Sequence, residues 1–337
     1  APSPATPVPV AEGDTAVTAG QGRVVGRDPR TGEPRWHYAR DVPLCTVGAG
    51  FSRVHAVYRT GHNCSEVTQL DPGTGQRTAQ RTGNAEHGTR LVSGDRHVTT
   101  TGDRLLNTWR SDLVKTLEYG RVPAPVNPDR QPRTGCTYGT VATAAERVGV
   151  IERCPDESGP RLTVLKAAGE EADVPETEFS KMLPATDAAL LALTDEAVAV
   201  ALPRGEVLVY GMDGMHRATH PVSVPGSELV RDRPDGVVPH TRGRGTVHVF
   251  TGSHTLALSA DDLTPRWAAE GTLGPGTVFA GHSVVPVRGG LAVINDTDGA
   301  TLRTVAVDRR APEAPVRLTA AGPVLLEQRG DTVVALR

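Results

Sequence analysis

The strongest constraint in this chain is a short unit that returns. Asp28-Pro29-Arg30-Thr31-Gly32-Glu33-Pro34-Arg35-Trp36 reappears as Asp71-Pro72-Gly73-Thr74-Gly75 and, more weakly, as Asn295-Asp296-Thr297-Asp298-Gly299. A further copy ends in Pro265-Arg266-Trp267, with Trp267 in the register of Trp36. With Asp28 as ruler, equivalent positions fall near residues 28, 71, 109, 165, 210, 259, 295 and 337. That spacing of about 44 residues is the length of one four-stranded propeller blade. In the third to fifth units Trp109, Leu165 and Tyr210 stand where the Asp belongs. The logic of the unit is local: Asp bonds turn amides, Gly takes a positive φ, and Trp at the start of an outer strand packs on the next unit. A unit that cannot bury both faces alone is stable only within a closed ring.

Between the markers, long amphipathic helical stretches are scarce. Short runs such as Arg23-Val24-Val25, Val54-His55-Ala56-Val57-Tyr58 and Thr332-Val333-Val334-Ala335-Leu336 recur instead, each ended by Gly, Pro, Asn or Asp. Such punctuation predicts strands. The Ala/Leu-rich stretch 188–202 reads as two strands around Thr194-Asp195-Glu196. The expectation is all-β: a β-propeller of four-stranded blades, eight of them with seven as the alternative, forming a single domain over residues 9–337. Residues 1–8 are a Pro/Ala-rich spacer or a closing strand. The last strand runs to Arg337, so the final blade lacks its outer strand. Residues 2–10 are expected to supply it, or to form the first strand of blade 1. Closure by both termini removes exposed sheet edges.

Composition then excludes several function classes. Gly and Pro, 37 and 27 of 337 residues, are too few for low complexity and read as turn punctuation. A net charge of −3 offers no field for nucleic acid or an anionic membrane. The 4% aromatic share argues against stacking platforms for bases or sugars. No run reaches the ~20 apolar residues of a membrane span. The opening Ala1-Pro2-Ser3-Pro4-Ala5-Thr6-Pro7 suits a spacer left behind a removed signal peptide. The four cysteines fall in two local pairs without Cys-x-x-Cys spacing, and are read as Cys45–Cys64 and Cys136–Cys154 disulfides. They imply an oxidising, extracytoplasmic compartment; buried free thiols are the other reading. Measured from the repeat markers, both pairs join the innermost strand region to the start of the third strand of their blade.

Gly26-x-Asp28-x-x-Thr31-Gly32-x-x-x-Trp36 resembles the tryptophan-docking motif of pyrroloquinoline-quinone (PQQ)-type propellers, with Gly26 where Ala is usual. The whole chain looks like the PQQ-like propeller repeat proteins of actinobacterial cell envelopes, and 33 Arg against only Lys115, Lys166 and Lys181 fits a GC-rich genome of that kind. The structural repeat residues are Asp28, Thr31, Gly32, Trp36, Asp71, Thr74, Gly75 and Trp267. The resemblance invites a quinoprotein dehydrogenase. Those enzymes need an adjacent Cys-Cys pair, a Trp beneath the cofactor and a calcium cluster with a catalytic Asp. Adjacent cysteines are lacking here, and two of the three Trp sit at docking positions. No cofactor and no catalytic residue are therefore expected.

Other motifs read as scaffold. His216 and His220 could share a metal only on a helix, and Thr219, Val222 and Val224 favour a strand, where the two lie roughly 13 Å apart. Asp296-Thr297-Asp298-Gly299 is half a calcium loop without its remaining ligands. Gly20-x-Gly22-x-x-x-Gly26 misses the dinucleotide spacing, and Arg329-Gly330-Asp331 is a hairpin turn. Asn63-Cys64-Ser65 and Asn295-Asp296-Thr297 are glycosylation sequons only in a eukaryotic secretory route.

Two connections exceed what a blade needs, 121–133 between blades 3 and 4 and 225–244 leading into blade 6. Long ordered loops on a rigid scaffold tend to carry binding residues. The candidate binding positions are Asn127, Asp129, Arg130, Arg133, Arg231, Asp232, Arg233, His240 and Arg242. The expected function is a non-catalytic scaffold that binds an envelope protein partner as a monomer, with a lipid anchor upstream of Ala1 as one means of attachment. The alternative is a sensor holding a small envelope metabolite or glycan in the central funnel. An exposed apolar patch beside the long loops favours the first; converging polar side chains at a channel mouth favour the second.

Overall fold

The structure, a computed structural model, describes residues 9–125, 128–231, 233 and 236–337. Eight antiparallel sheets follow one another along the chain, each a meander whose strands pair in sequence order. They are blades 1 (10–39), 2 (44–85), 3 (91–120), 4 (137–182), 5 (189–221), 6 (240–270), 7 (277–306) and 8 (316–336). Blade 8 shows three strands among the described residues, and the other seven show four. First strands of successive blades line the centre, and that of blade 1, Val10–Glu12, touches those of both blade 2 and blade 8. The ring is an eight-bladed β-propeller closed where its two ends meet. Val10 belongs to the first strand of blade 1; the expectations for residues 1–8 lie outside the described residues.

Stretch 188–202 forms Ala189–Leu193 and Ala197–Leu202, the first two strands of blade 5. Trp109, Leu165 and Tyr210 are corrections to the repeat ruler. They are buried residues inside third strands, and the following turns start one or two residues later.

The core is distributed. Eight clusters of buried apolar side chains each straddle one interface between consecutive blades. In the blade 1 turn Asp28 Oδ1 accepts the Arg30 and Thr31 amides, and in the blade 2 turn Asp71 Oδ1 accepts those of Gly73 and Thr74. Gly32 and Gly75 close these turns at φ +77° and +72°. Trp36 then lies between Gly26 of its own blade and Gly75 of the next, where an added Cβ would meet the indole at 2.1 and 2.5 Å. Its Nε1 donates to Pro72 O at 2.7 Å. Trp267 repeats the arrangement with Asp296 O at 3.0 Å, opposite Ala257 in the register held by Gly26.

Other interfaces use different donors for the same task. Gln69 Nε2 donates to Ser111 O at 2.8 Å, the turn carbonyl of blade 3, and Thr116 Oγ1 donates to Ala167 O at 2.7 Å in blade 4. Trp109, fully buried on the third strand of blade 3, packs back against Gly83 and the cluster around Cys64 in blade 2. Both disulfides are present. Cys45–Cys64 joins the first strand of blade 2 to its third. Cys154, by contrast, lies just after the second strand of blade 4, because residues 154–160 lengthen that hairpin and delay the third strand to Arg161.

Candidate functional site

In an up-and-down meander, blade-to-blade connections and second-to-third hairpins emerge on one face, here the loop face; the other hairpins form the rear face. The chain goes from blade 1 to blade 2 in four residues, 40–43, but needs sixteen from blade 3 to blade 4 (121–136) and eighteen from blade 5 to blade 6 (222–239).

The first long connection is pinned by polar contacts. Gln131 is buried; its Nε2 donates to Glu118 O and Asp173 O, and its Oε1 accepts the Gly120 amide. Arg133 donates from Nε to the buried Glu152, at 2.8 Å, and from Nη1 and Nη2 to Glu157 at 3.1 and 2.8 Å. Glu152 also accepts the Tyr119 and Thr163 hydroxyls, each at 2.6 Å. Hydrogen bonds from Arg133, then Arg161, hold the Glu157 carboxyl down at about 2. Arg133 therefore acts as an anchor of its loop. Asp129 and Arg130 stand exposed on the one-turn helix Pro128–Arg130, and Asn127 lies outside the described residues.

The second connection carries the short helix Gly226–Leu229, whose Glu228 clamps it to the blade 6 hairpin. Glu228 accepts Thr251 Oγ1 at 3.0 Å and Ser253 Oγ at 2.8 Å, and lies 3.4 Å from His254 Nδ1. Ser253 Oγ is also 2.9 Å from His254 Nδ1. A serine, a histidine and a glutamate side by side resemble a hydrolytic triad, but the geometry is wrong. A triad places serine and carboxylate on opposite imidazole nitrogens, whereas here both approach Nδ1. The cluster is a clamp. Burial alone would push the Glu228 carboxyl up, but the hydrogen bonds from Ser253, Thr251 and His254 outweigh it and hold the group below its ordinary value of 4.5. A depressed folded-state value stabilises fully above the unfolded value and less as pH falls through the folded one. Glu228→Gln is expected to cost ~1 kcal/mol at pH 7. In paired thermal melts the gap to the parent should shrink as the pH drops below 4.5. A gap constant from pH 7 to pH 3 would rule the clamp out.

Arg233 Nη2 donates to Thr251 O at 3.1 Å, and Arg231 is exposed beside Gly252. Asp232 lies outside the described residues. His240 and Arg242 sit on the first strand of blade 6, His240–Arg242, so this connection ends before them. Burial pushes the His240 imidazole below its ordinary range. Arg242 reaches the rear mouth, where Nη1 donates to Asp95 Oδ2 at 3.0 Å from a hairpin of blade 3. That ion pair braces blades three positions apart across the ring.

Between the roots of these connections lies a cavity of about 490 Å³. Its wall includes His87, Asp103, Tyr138, Arg153, Arg231 and Arg233, with Asp187 beside Arg153. Tyr138 N–H donates to Asp103 O at 2.7 Å and Val141 N–H to Gly236 O at 2.7 Å, so backbone bonds between separate blades hold its floor. Of the predicted positions among the described residues, only Arg231 and Arg233 line it. Sequence reasoning missed His87, Asp103, Arg153 and Asp187, which come from two blade connections, one hairpin and one strand end and share no pattern along the chain.

The remaining motifs fall on scaffold. His216 and His220 lie on the outer strand His216–Pro221, residues 295–299 form a turn, and Arg329-Gly330-Asp331 turns between the second and third strands of blade 8. Among the described residues no group of three or more His, Cys, Asp or Glu side chains could hold a metal ion, and no helix is long and apolar enough to cross a membrane.

Ring, blades and loop face together define an eight-bladed propeller of the PQQ-like plan. The chain is similar to BamB from Moraxella catarrhalis, with a TM-score of 0.58 and 14% identity over 98% of this chain and 95% of that one. It is also similar to AztD from Citrobacter koseri (TM-score 0.56, 12% identity, 94% and 89% covered) and to the quinohemoprotein alcohol dehydrogenase from Comamonas testosteroni (0.56, 11%, 96% and 70%). At these identities the likeness defines the fold alone. No protein-family model matches the chain, and no curated protein sequence matches it.

Proposed function

We propose that this protein is a non-catalytic, extracytoplasmic propeller of an actinobacterial cell envelope that binds a protein partner through its loop face. The observation carrying this reading is the pinning of two connections far longer than the four residues that suffice between blades 1 and 2. Ordering each extra residue costs roughly 1–2 kcal/mol of backbone entropy. The Arg133–Glu152–Glu157 and Glu228–Ser253–Thr251 contacts oppose that cost and present a preformed surface. The two disulfides support an oxidising compartment. Photo-cross-linking side chains placed at Arg130 and Arg231, with Met215 on the rear face as control, test the reading in the native envelope. One and the same partner captured from both loop positions and absent from Met215 is the expected result. Equal capture from all three would defeat it.

A second reading has its own support. The exposed large apolar side chains among the described residues, Val114, Met215, Leu302 and Val305, all lie away from the long connections, whereas polar side chains converge on the loop-face cavity. This favours a small ligand held at that mouth.

A further inference from the structure

We infer that a slot on the rear side of the ring, between blades 5 and 6, receives an arginine side chain of a partner protein. The inference goes beyond the loop-face reading and concerns a partner other than the one expected there. One position on the outer strand decides how successive blades meet. Trp36, Phe179 and Trp267 hold it in blades 1, 4 and 6, paired in register with Gly26, Val164 and Ala257. Each ring lies on a glycine in the next blade's turn; an added Cβ on Gly75, Gly214 or Gly299 would meet it at 2.5, 3.0 and 2.8 Å. In blades 2 and 5 the position holds Ala79 and Ala218, and the turn residue is a buried leucine at φ +58°, Leu113 and Leu263. Each leucine packs into its joint in place of the ring. Blade 2 completes the joint with Gln69, opposite Ala79, whose Nε2 donates to Ser111 O. Blade 5 has Val209 there instead, and a slot of about 250 Å³ is left beside Ala218.

The slot has the chemistry of a site for one cationic side chain. Its volume falls short of the ~300–1,000 Å³ of metabolite-sized sites. Ala197, Val209 and Ala218 give it an apolar floor, and Glu196, Asp261 and Asp262 an exposed edge. None of these three carboxylates makes an ion pair among the described residues. One guanidinium lines the slot, that of Arg217, and it is paired with Asp213 at 2.6 Å. His220 Nε2 is buried in the wall and has no hydrogen-bond partner among the described residues. Long basic side chains lay their methylenes on apolar surface and keep the charge at its edge. Arginine's planar fork engages a carboxylate through two parallel bonds and still has donors for a second acceptor, such as the free ring nitrogen of His220. The site is also preformed, since Asp262 is fixed by accepting the Thr264 amide at 3.1 Å.

Fluorescence anisotropy on the full chain at low salt, with labelled hexa-arginine, hexa-lysine and hexa-glutamate as probes, tests the inference. Hexa-arginine is expected to bind, hexa-lysine about tenfold more weakly, and hexa-glutamate not at all. Ala218→Trp fills the slot from within while keeping all three carboxylates, so its loss of hexa-arginine binding reports the slot and not the charge. The paired change Glu196→Gln with Asp261→Asn keeps the slot open and should weaken binding about a hundredfold, roughly tenfold for each charge-assisted bond lost. Glu33→Gln, on blade 1, should leave binding intact. The inference fails if hexa-arginine does not bind, if hexa-lysine binds equally, or if either slot variant binds like the parent. Should Ala218→Trp lose its fold in a thermal melt, the paired variant decides alone.

Discussion

Arg309→Ala is expected to lower the unfolding free energy by about 3–5 kcal/mol, the loss typical of breaking a buried ion pair from one side. Arg309 lies on the connection from blade 7 to blade 8, with its side chain 1% exposed and that of Glu327 at 0%. Its Nε and Nη2 donate to the two Glu327 oxygens at 2.8 and 2.7 Å, and Nη1 donates to Val287 O and Gly290 O. Burial alone would push the Glu327 carboxyl up; the bonds from Arg309, then Arg329, reverse that and keep it below its ordinary range. Without Arg309 the carboxylate keeps only Arg329, at its Oε1, while remaining in the same dry site. Its value should rise, so the variant loses less relative to the parent in acid than at pH 7. Guanidinium unfolding at pH 7 and pH 4 measures both effects. A cost under 1 kcal/mol at neutral pH would mean that water reaches Glu327.

Trp36→Ala should cost a similar ~3–5 kcal/mol, the range for emptying a large aromatic site. Trp36 is 8% exposed and sealed between two glycines whose missing side chains make its slot. Neither glycine can move in to fill the void. Trp36→Phe separates the contributions, since it keeps most of the packing but leaves Pro72 O without its donor, for a loss of ~1 kcal/mol. Chemical denaturation of the two variants gives the comparison. Equal losses would show that the hydrogen bond, and not the slot, holds blade 1 to blade 2.

What the sequence discloses depends on distance along the chain. The Asp28 and Asp71 turns are legible because the amide hydrogen bonds that close them span no more than five residues. Blade number was legible because turn spacing survives where the turn residues do not. Docking at blades 2 and 3 was not, since Gln69 and Thr116 replace Trp by supplying only its donor to a carbonyl 42 and 51 residues away. Trp109 carried the right residue in an unexpected direction, packing on the blade before it. The long connections were visible as Pro- and Arg-rich stretches, but the roles within them were not. Arg133 meets Glu152 and Glu157 only because blade 4 folds its hairpin back, and Glu228 meets Ser253 only once two strands of blade 6 have formed between them. The cavity gathers positions from His87 to Gly236, a span in which no local rule operates.

The seam between blades 8 and 1 has a mechanical meaning. Among the described residues it is packed by Ala16, Ala321, Val324 and Leu326, edged by Ala11 and Val333, with none of the aromatic wedges found at the joints of blades 1 and 2, 2 and 3, or 6 and 7. Each sector leans on two neighbours, so the ring resembles a stone arch bent into a circle, and its load falls on the joint with the smallest stones. Tension applied to either end of the chain arrives at that joint first. Under force the molecule should part there as a hinge-free split washer, the remaining seven joints still shut.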